Sequence, residues 1–199
     1  SGDADGAVTG NTRRFGASFE KITQVVGARN NEIMFGLNMI VHKGKTIFVA
    51  DTSVHEYPTS EQMAEIAVST ARVVRLFGFD PKVAFVSHST FGQPSTNRTK
   101  HIKKAVDILK DKNVDFEFDG DMQPDVALNS EYEELYPFSK IVGKANILIM
   151  PGQHSAAISY KLMKTIGDTK VIGPLLIGLG LPIEIAPLRT STSALINLA

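Results

Sequence analysis

The residues of this chain with most chemical promise sit in Ser87-His88-Ser89-Thr90-Phe91-Gly92-Gln93-Pro94-Ser95, where hydroxyls crowd around a glycine. Hydroxyls and free backbone N–H groups at the start of a helix make a natural pocket for an anion, since donors and the positive end of the helix dipole converge there. The same residue types also cap helices and shape turns, so pattern alone leaves an anion site and a plain connecting loop both open. Arg13-Arg14 stand just before another helical pattern and can meet an anion or simply be solvated. Asp119, Asp121 and Asp125 invite a metal reading, but no fourth ligand lies near them, and Asp-x-Asp with Gly and Pro is common turn chemistry. His55-Glu56 lacks the second histidine one turn on that a zinc protease needs. No metal site is expected.

These residues need elements to position them. Lys82 to Val86 reads as a short buried strand running into the hydroxyl loop, and Thr96 to Lys112 as the helix after it, with Ile102, Ala105, Val106 and Leu109 on one face. Upstream, Ala4 to Thr9 is a weak strand, Phe15 to Val26 a helix, and Ile33–Val41 with Thr46–Ala50 a hairpin. Thr59 and Gln62 form a capping box that opens a helix reaching Phe77. Downstream come a strand at Asp115–Phe118, a loop at Asp119–Asp125 and a short polar helix at Ser130–Tyr136. A buried strand at Ala145–Met150, an exit loop at Pro151–Ser155 and a helix at Ala156–Ile166 follow. Val171–Leu179 is a strand whose Gly173-Pro174 marks an edge or a bulge, Pro182–Ile185 a short strand, and Thr190–Leu198 a terminal helix. Such alternation predicts an α/β protein in α/β/α layers with a largely parallel sheet. Loops at the strand ends, carrying Arg13-Arg14, Ser87–Ser95, Asp119–Asp125 and Gln153–Ser155, should then line one cleft.

The totals narrow the function classes. With 21 basic and 21 acidic residues the formal charge is zero, which argues against nucleic-acid binding. Apolar content of 43% and charged content of 21% suit a globular domain, and no apolar run reaches membrane-spanning length. The chain has no cysteine, which removes disulfides and thiolate metal sites and favours a cytoplasmic protein. It opens at Ser1 and looks like a piece of something longer.

Ala-Asp-Gly-Ala-Val-Thr-Gly at 4–10, Val-Ala-Phe-Val-Ser-His-Ser-Thr-Phe-Gly at 83–92, Asp-Gly-Asp-Met-Gln-Pro-Asp-Val-Ala-Leu at 119–128, Gly-Lys-Ala-Asn-Ile-Leu-Ile-Met-Pro at 143–151 and Ile-Gly-Pro-Leu-Leu-Ile-Gly-Leu at 172–179 resemble the phosphate acetyl/butyryltransferase family. The resemblance implies a fold like the isocitrate and isopropylmalate dehydrogenases, truncated at its N-terminus. It also implies a cleft for acyl-CoA and phosphate, and a homo-oligomer, at least a dimer. The family's catalytic segment reads Asp-Leu-Ser-Arg-Gly with an Asp further on. There a base takes the CoA thiol proton while an arginine and a hydroxyl steady phosphate and oxyanion. Aligned through Leu181-Pro182, this chain has Pro187 for the Ser, Leu188 for the Arg and Ala194 for the Asp, with Arg189 one position late. Ala157 stands where the family usually has Asn. No catalytic residue is therefore expected.

Within the family the resemblance is strongest to the C-terminal phosphotransacetylase-like domain of bacterial NADP-dependent malic enzymes, an oxidoreductase branch. It implies a regulatory module that senses acetyl-CoA beside an N-terminal malic enzyme domain, which would hold NADP and a divalent metal. Arg13, Arg14, Ser87, Ser89, Thr90, Gly92, Ser95 and Arg189 are the candidate contacts for acyl-CoA or another anion. The alternative is a working acyltransferase that draws a carboxylate from Asp119, Asp121 or Glu184.

Overall fold

Two sheets of unequal size organise residues 4–199, which are those the computed structural model describes. The chain enters through β1 (Ala7–Gly10) and α1 (Phe15–Val25), and a short turn at Arg29–Asn31 leads to a hairpin of β2 (Phe35–His42) and β3 (Lys45–Ala50). Lys43 and Gly44 close that hairpin with φ of 46° and 74°, the doubly positive geometry that matches strand twist. The helix α2 (Ser60–Leu76) follows, its start fixed by the reciprocal Thr59–Gln62 capping box. Then come β4 (Lys82–Val86), α3 (Asn97–Lys112), β5 (Glu117–Met122), α4 (Pro124–Leu128), β6 (Ile147–Ile149), α5 (Gln153–Ile166), β7 (Thr169–Ile177), β8 (Ile183–Ala186) and α6 (Thr192–Ile196).

The larger sheet has the order β5-β4-β6-β3-β2-β7, and β1 pairs in parallel with β8 in the smaller one. Only β2 runs against its neighbours in the larger sheet, so it is largely parallel as expected. Both faces are apolar because strand residues alternate between two cores. Phe48, Val83, Phe85, Ile147 and Ile149 pack under α2 and α3, while Val49, Ala84, Val86 and Leu148 pack under α4 and α5. A third cluster of Leu176, Leu179 and Ile185 takes Phe15, Phe19 and Ile22 from α1. No described helix is long and apolar enough to cross a membrane.

Several element boundaries differ from the expectation. The strand expected to stop at Phe118 continues through Asp119-Gly120-Asp121 to Met122, because its ladder with β4 runs on past an irregularity between Phe85 and Val86. Gly120 permits this: a Cβ there would lie 2.7 Å from Phe85 Cβ. Pro124 and Asp125, read as a loop, open the short helix α4. The polar helix at 130–136 is a single 3-10 turn, Ser130–Tyr132. Gln153–Ser155, expected in an exit loop, form the first turn of α5. The terminal helix shrinks to Thr192–Ile196. Gly173-Pro174 do mark an edge strand and a bulge, since β7 pairs only with β2 and slips register between Leu37 and Met39.

Glu184 joins the two sheets. Its side chain leaves β8 and accepts the N–H of Leu176 on β7 at 2.8 Å. Burial pushes this carboxyl up to about 7, against an ordinary 4.5, although the Leu176 N–H opposes the shift. The folded state therefore holds a proton that the unfolded chain releases. Stability falls as pH rises from about 4.5 to about 7 and levels off above that. Urea unfolding at pH 5 and pH 8 should show the chain losing roughly 2–3 kcal/mol from this group, and Glu184→Gln should remove most of that loss.

Candidate functional site

The hydroxyl-rich loop after β4 closes on the end of β5. Asp121, 1% exposed, lies beneath it and takes the Ser89 hydroxyl on one carboxylate oxygen and the Gly92 N–H, at 3.0 Å, on the other. Ser87 Oγ lies 3.2 Å from Ser89 Oγ, so the two hydroxyls and the Asp121 carboxyl form one hydrogen-bonded chain. Thr90 Oγ1 accepts the N–H of Gln123 at 3.2 Å, whose amide in turn donates to the His88 carbonyl at 3.1 Å. Phe91 and Gly92 take φ of 49° and 81°, and the Phe91 ring packs on Phe138 with centroids 4.8 Å apart. Asp121 therefore occupies the position from which an external anion would meet these donors. Ser87, Ser89 and Thr90 are buried and hold the loop, whereas Ser95 is exposed just ahead of the Thr96 cap of α3.

A second grouping forms where the smaller sheet ends. Asn11 accepts the Arg189 N–H at its carbonyl, 3.1 Å away, and the Thr190 N–H at its side-chain oxygen, 2.9 Å away. That clamp sets the loop after β1, with Arg13 and Arg14, beside the loop after β8, with Arg189. All three arginines are exposed, and none has an ion pair or a side-chain hydrogen bond among the described residues. Pro187 and Leu188 are exposed in the same loop, where the Pro187 carbonyl accepts the Thr190 hydroxyl at 2.6 Å. Ala194 lies in α6, its N–H capped by Ser191.

No hydrogen bond among the described residues joins the hydroxyl loop to the arginines, and Gln153–Ser155 form the first turn of α5. The Gln153 N–H donates to the His55 carbonyl at 2.9 Å, tying α5 to the loop after β3. That loop holds a pairing the sequence did not advertise. Asp51, 1% exposed, accepts N–H groups from Gly36, Ser53, Val54 and His55, and the His55 ring Nδ1 lies 2.7 Å from its Oδ2. Only the four-residue spacing of Asp51 and His55 could have hinted at it. Asp119 is spent on the N–H groups of Gly120 and Lys140, at 2.9 and 2.8 Å.

Asp121→Ala should leave the Ser89 hydroxyl and Gly92 N–H buried without an acceptor and cost about 2–4 kcal/mol. Urea unfolding would measure that loss, with faster hydrogen exchange at Gly92 marking the loosened loop.

Comparison with known proteins extends the picture over the full length. The family model for phosphate acetyl/butaryl transferase matches residues 1–199. An NADP-dependent malic enzyme from Rhizobium meliloti is 44% identical over 198 residues, covering 100% of this chain and 26% of its own length. A probable NADP-dependent malic enzyme from Rickettsia prowazekii is 38% identical over 208 residues, again with 100% of this chain and 27% of the relative covered. The chain thus spans about a quarter of these curated relatives. A solved phosphotransacetylase from Streptococcus pyogenes superposes with a TM-score of 0.90 at 29% identity, covering 98% of this chain and 60% of that one. The family model, the relatives and the shared architecture agree: this chain belongs to the phosphate acetyl/butaryl transferase family.

Proposed function

We propose that the chain is a non-catalytic, acetyl-CoA-sensing and oligomerisation module of a malic enzyme, an oxidoreductase that decarboxylates malate to pyruvate. The observation that carries this reading is the loop after β8. Positions 187, 188 and 194 hold proline, leucine and alanine, none of which can take a thiol proton or donate to an oxyanion. Transfer between acyl phosphate and CoA needs the thiolate to attack the acyl carbonyl while phosphate leaves, and no side chain at these positions serves either end. The carboxylates that could stand in are engaged. Glu184 holds Leu176, Asp119 holds Gly120 and Lys140, and Asp121 holds the hydroxyl loop.

A ligand grip is still supported. Arg13, Arg14 and Arg189 lie on adjoining loops without counter-ions among the described residues, an arrangement suited to the phosphates of CoA. Ser95 adds an exposed hydroxyl, and Ser87, Ser89, Thr90 and Gly92 keep their loop in shape. Regulation requires acetyl-CoA to favour one arrangement of the assembly over another. In this reading NADP and the divalent metal belong to an adjoining N-terminal malic enzyme domain, and the module associates with further copies of itself.

Isothermal titration of the chain with acetyl-CoA should show saturable binding that weakens with salt, and the combined Arg13→Ala, Arg14→Ala and Arg189→Ala variant should bind at least about ten-fold more weakly. A coupled assay with acetyl phosphate and CoA should give no turnover above background. Clear turnover would replace this reading with that of a working acyltransferase, and an absence of binding heat would leave oligomerisation alone.

A further inference from the structure

We propose that the contact from Glu184 to Leu176 is a proton-operated catch between the two sheets, closed when the carboxyl is protonated and released when it is ionised. The topology sets this contact apart. Strands β7 and β8 share no ladder, since β7 pairs with β2 and β8 with β1. The chain crosses between the sheets twice, at residues 27–34 and 177–182, and the crossings bind each other. The Arg29 N–H donates to the Gly178 carbonyl at 2.8 Å, and the Gly180 N–H to the Gly27 carbonyl at 3.1 Å. Glycines at 27, 178 and 180 give these crossings backbone freedom to turn. Beyond them, the Leu176 N–H on Glu184, at 2.8 Å, is the one hydrogen bond among the described residues that runs from the smaller sheet and its helices to the larger sheet. No ion pair among the described residues spans the joint outside the crossings. What remains is apolar, Leu176 and Met34 with Phe15, Phe19 and Ile22, and such contact resists separation without fixing an angle.

The surroundings of Glu184 favour its neutral form. It lies on β8 between Ile183 and Ile185, in register with Val8 of β1, and a single N–H reaches it. The charged groups of the elements around it are Asp5 ahead of β1, Glu20 and Lys21 of α1, Arg29 and Glu32 of the first crossing, Lys170 of β7 and Arg189 after β8. None of them forms an ion pair with it. Burial therefore pushes the carboxyl up to about 7, against an ordinary 4.5. In the released form the carboxyl meets water and returns toward 4.5. Opening thus grows more favourable as pH rises from about 4.5 to about 7 and levels off beyond. Arg13, Arg14 and Arg189 stand on the smaller sheet's side of the joint and the hydroxyl loop on the larger sheet's side, so release changes the separation between them.

Because the chain has no cysteine, a donor and an acceptor dye can be attached at chosen positions. One pair, on Ala17→Cys and Lys103→Cys, spans the joint from α1 to α3. A control pair, on Lys103→Cys and Lys144→Cys, lies wholly on the larger sheet's side, and all three positions are exposed. Energy transfer is read in doubly labelled chain diluted with unlabelled chain, so that it stays within one molecule. The spanning pair should report an open population that rises at least about ten-fold between pH 5 and pH 8, with the control pair unchanged. Glu184→Gln keeps an acceptor for the Leu176 N–H and has no charge to gain, so it should stay closed at both pH values. Val8→Lys, at a position 43% exposed, should hold the joint closed at pH 8 by pairing with the carboxylate. The proposal is overturned if the spanning pair is indifferent to pH, or if both variants respond to pH as the parent does. A control pair that shifts along with the spanning pair would overturn it too, since the whole chain would then be loosening. Should Glu184→Gln fail to fold, Val8→Lys decides by itself.

Discussion

A buried carboxylate needs donors, and in this chain the need of Asp121 shapes the centre of the fold. Ser89 and Gly92 come to it from the loop after β4, so that loop cannot open outward without stranding a charge away from water. Because Asp121 sits on β5, the same contact ties the edge of the sheet to the start of α3. Gly120 allows it by letting β5 press against Phe85 where no side chain would fit. One acid thus fixes a loop, a strand edge and the approach to a helix.

The smaller sheet is held by different means. Its strands β1 and β8 are four residues each, too short to be stable alone, and they rely on α1 and on the contact from Glu184 to Leu176. The clamp at Asn11 then sets side by side the loops that carry three arginines, none of them ion-paired among the described residues. The grouping at Asp121 and the grouping at the arginines differ in kind: the first is satisfied within the protein, the second presents its charge to solvent.

What the sequence conveyed was local. The strand Lys82–Val86, the Thr59–Gln62 box and the helix after Thr96 are all set by residues within a few positions of one another, and each stands where the pattern places it. The family resemblance was legible for the same reason, being carried by contiguous blocks. The misread segment at Asp119–Asp125 is turn-like when seen alone. Residues 119–122 are strand because the ladder with β4 reaches them, and Pro124-Asp125 open a helix, while the partners of the two buried acids, Ser89, Gly92 and Lys140, arrive from distant segments. Likewise, the hydroxyls of Ser87–Thr90 look like free donors until the third dimension supplies their acceptor. The raised proton affinity of Glu184 comes from burial, which no spacing records.

Asn11 and Thr190 are 179 residues apart in sequence, and β1 waits for β8 across nearly as long a stretch. Closure of that sheet has the highest contact order of any pairing in the chain. On the ribosome, β4, α3 and β5 can assemble while β1 still lacks its companion. The three arginines therefore gather only once the loop after β8 has been made, and a chain that stalls short of residue 183 would carry an ordered core whose Arg13 and Arg14 still await Arg189.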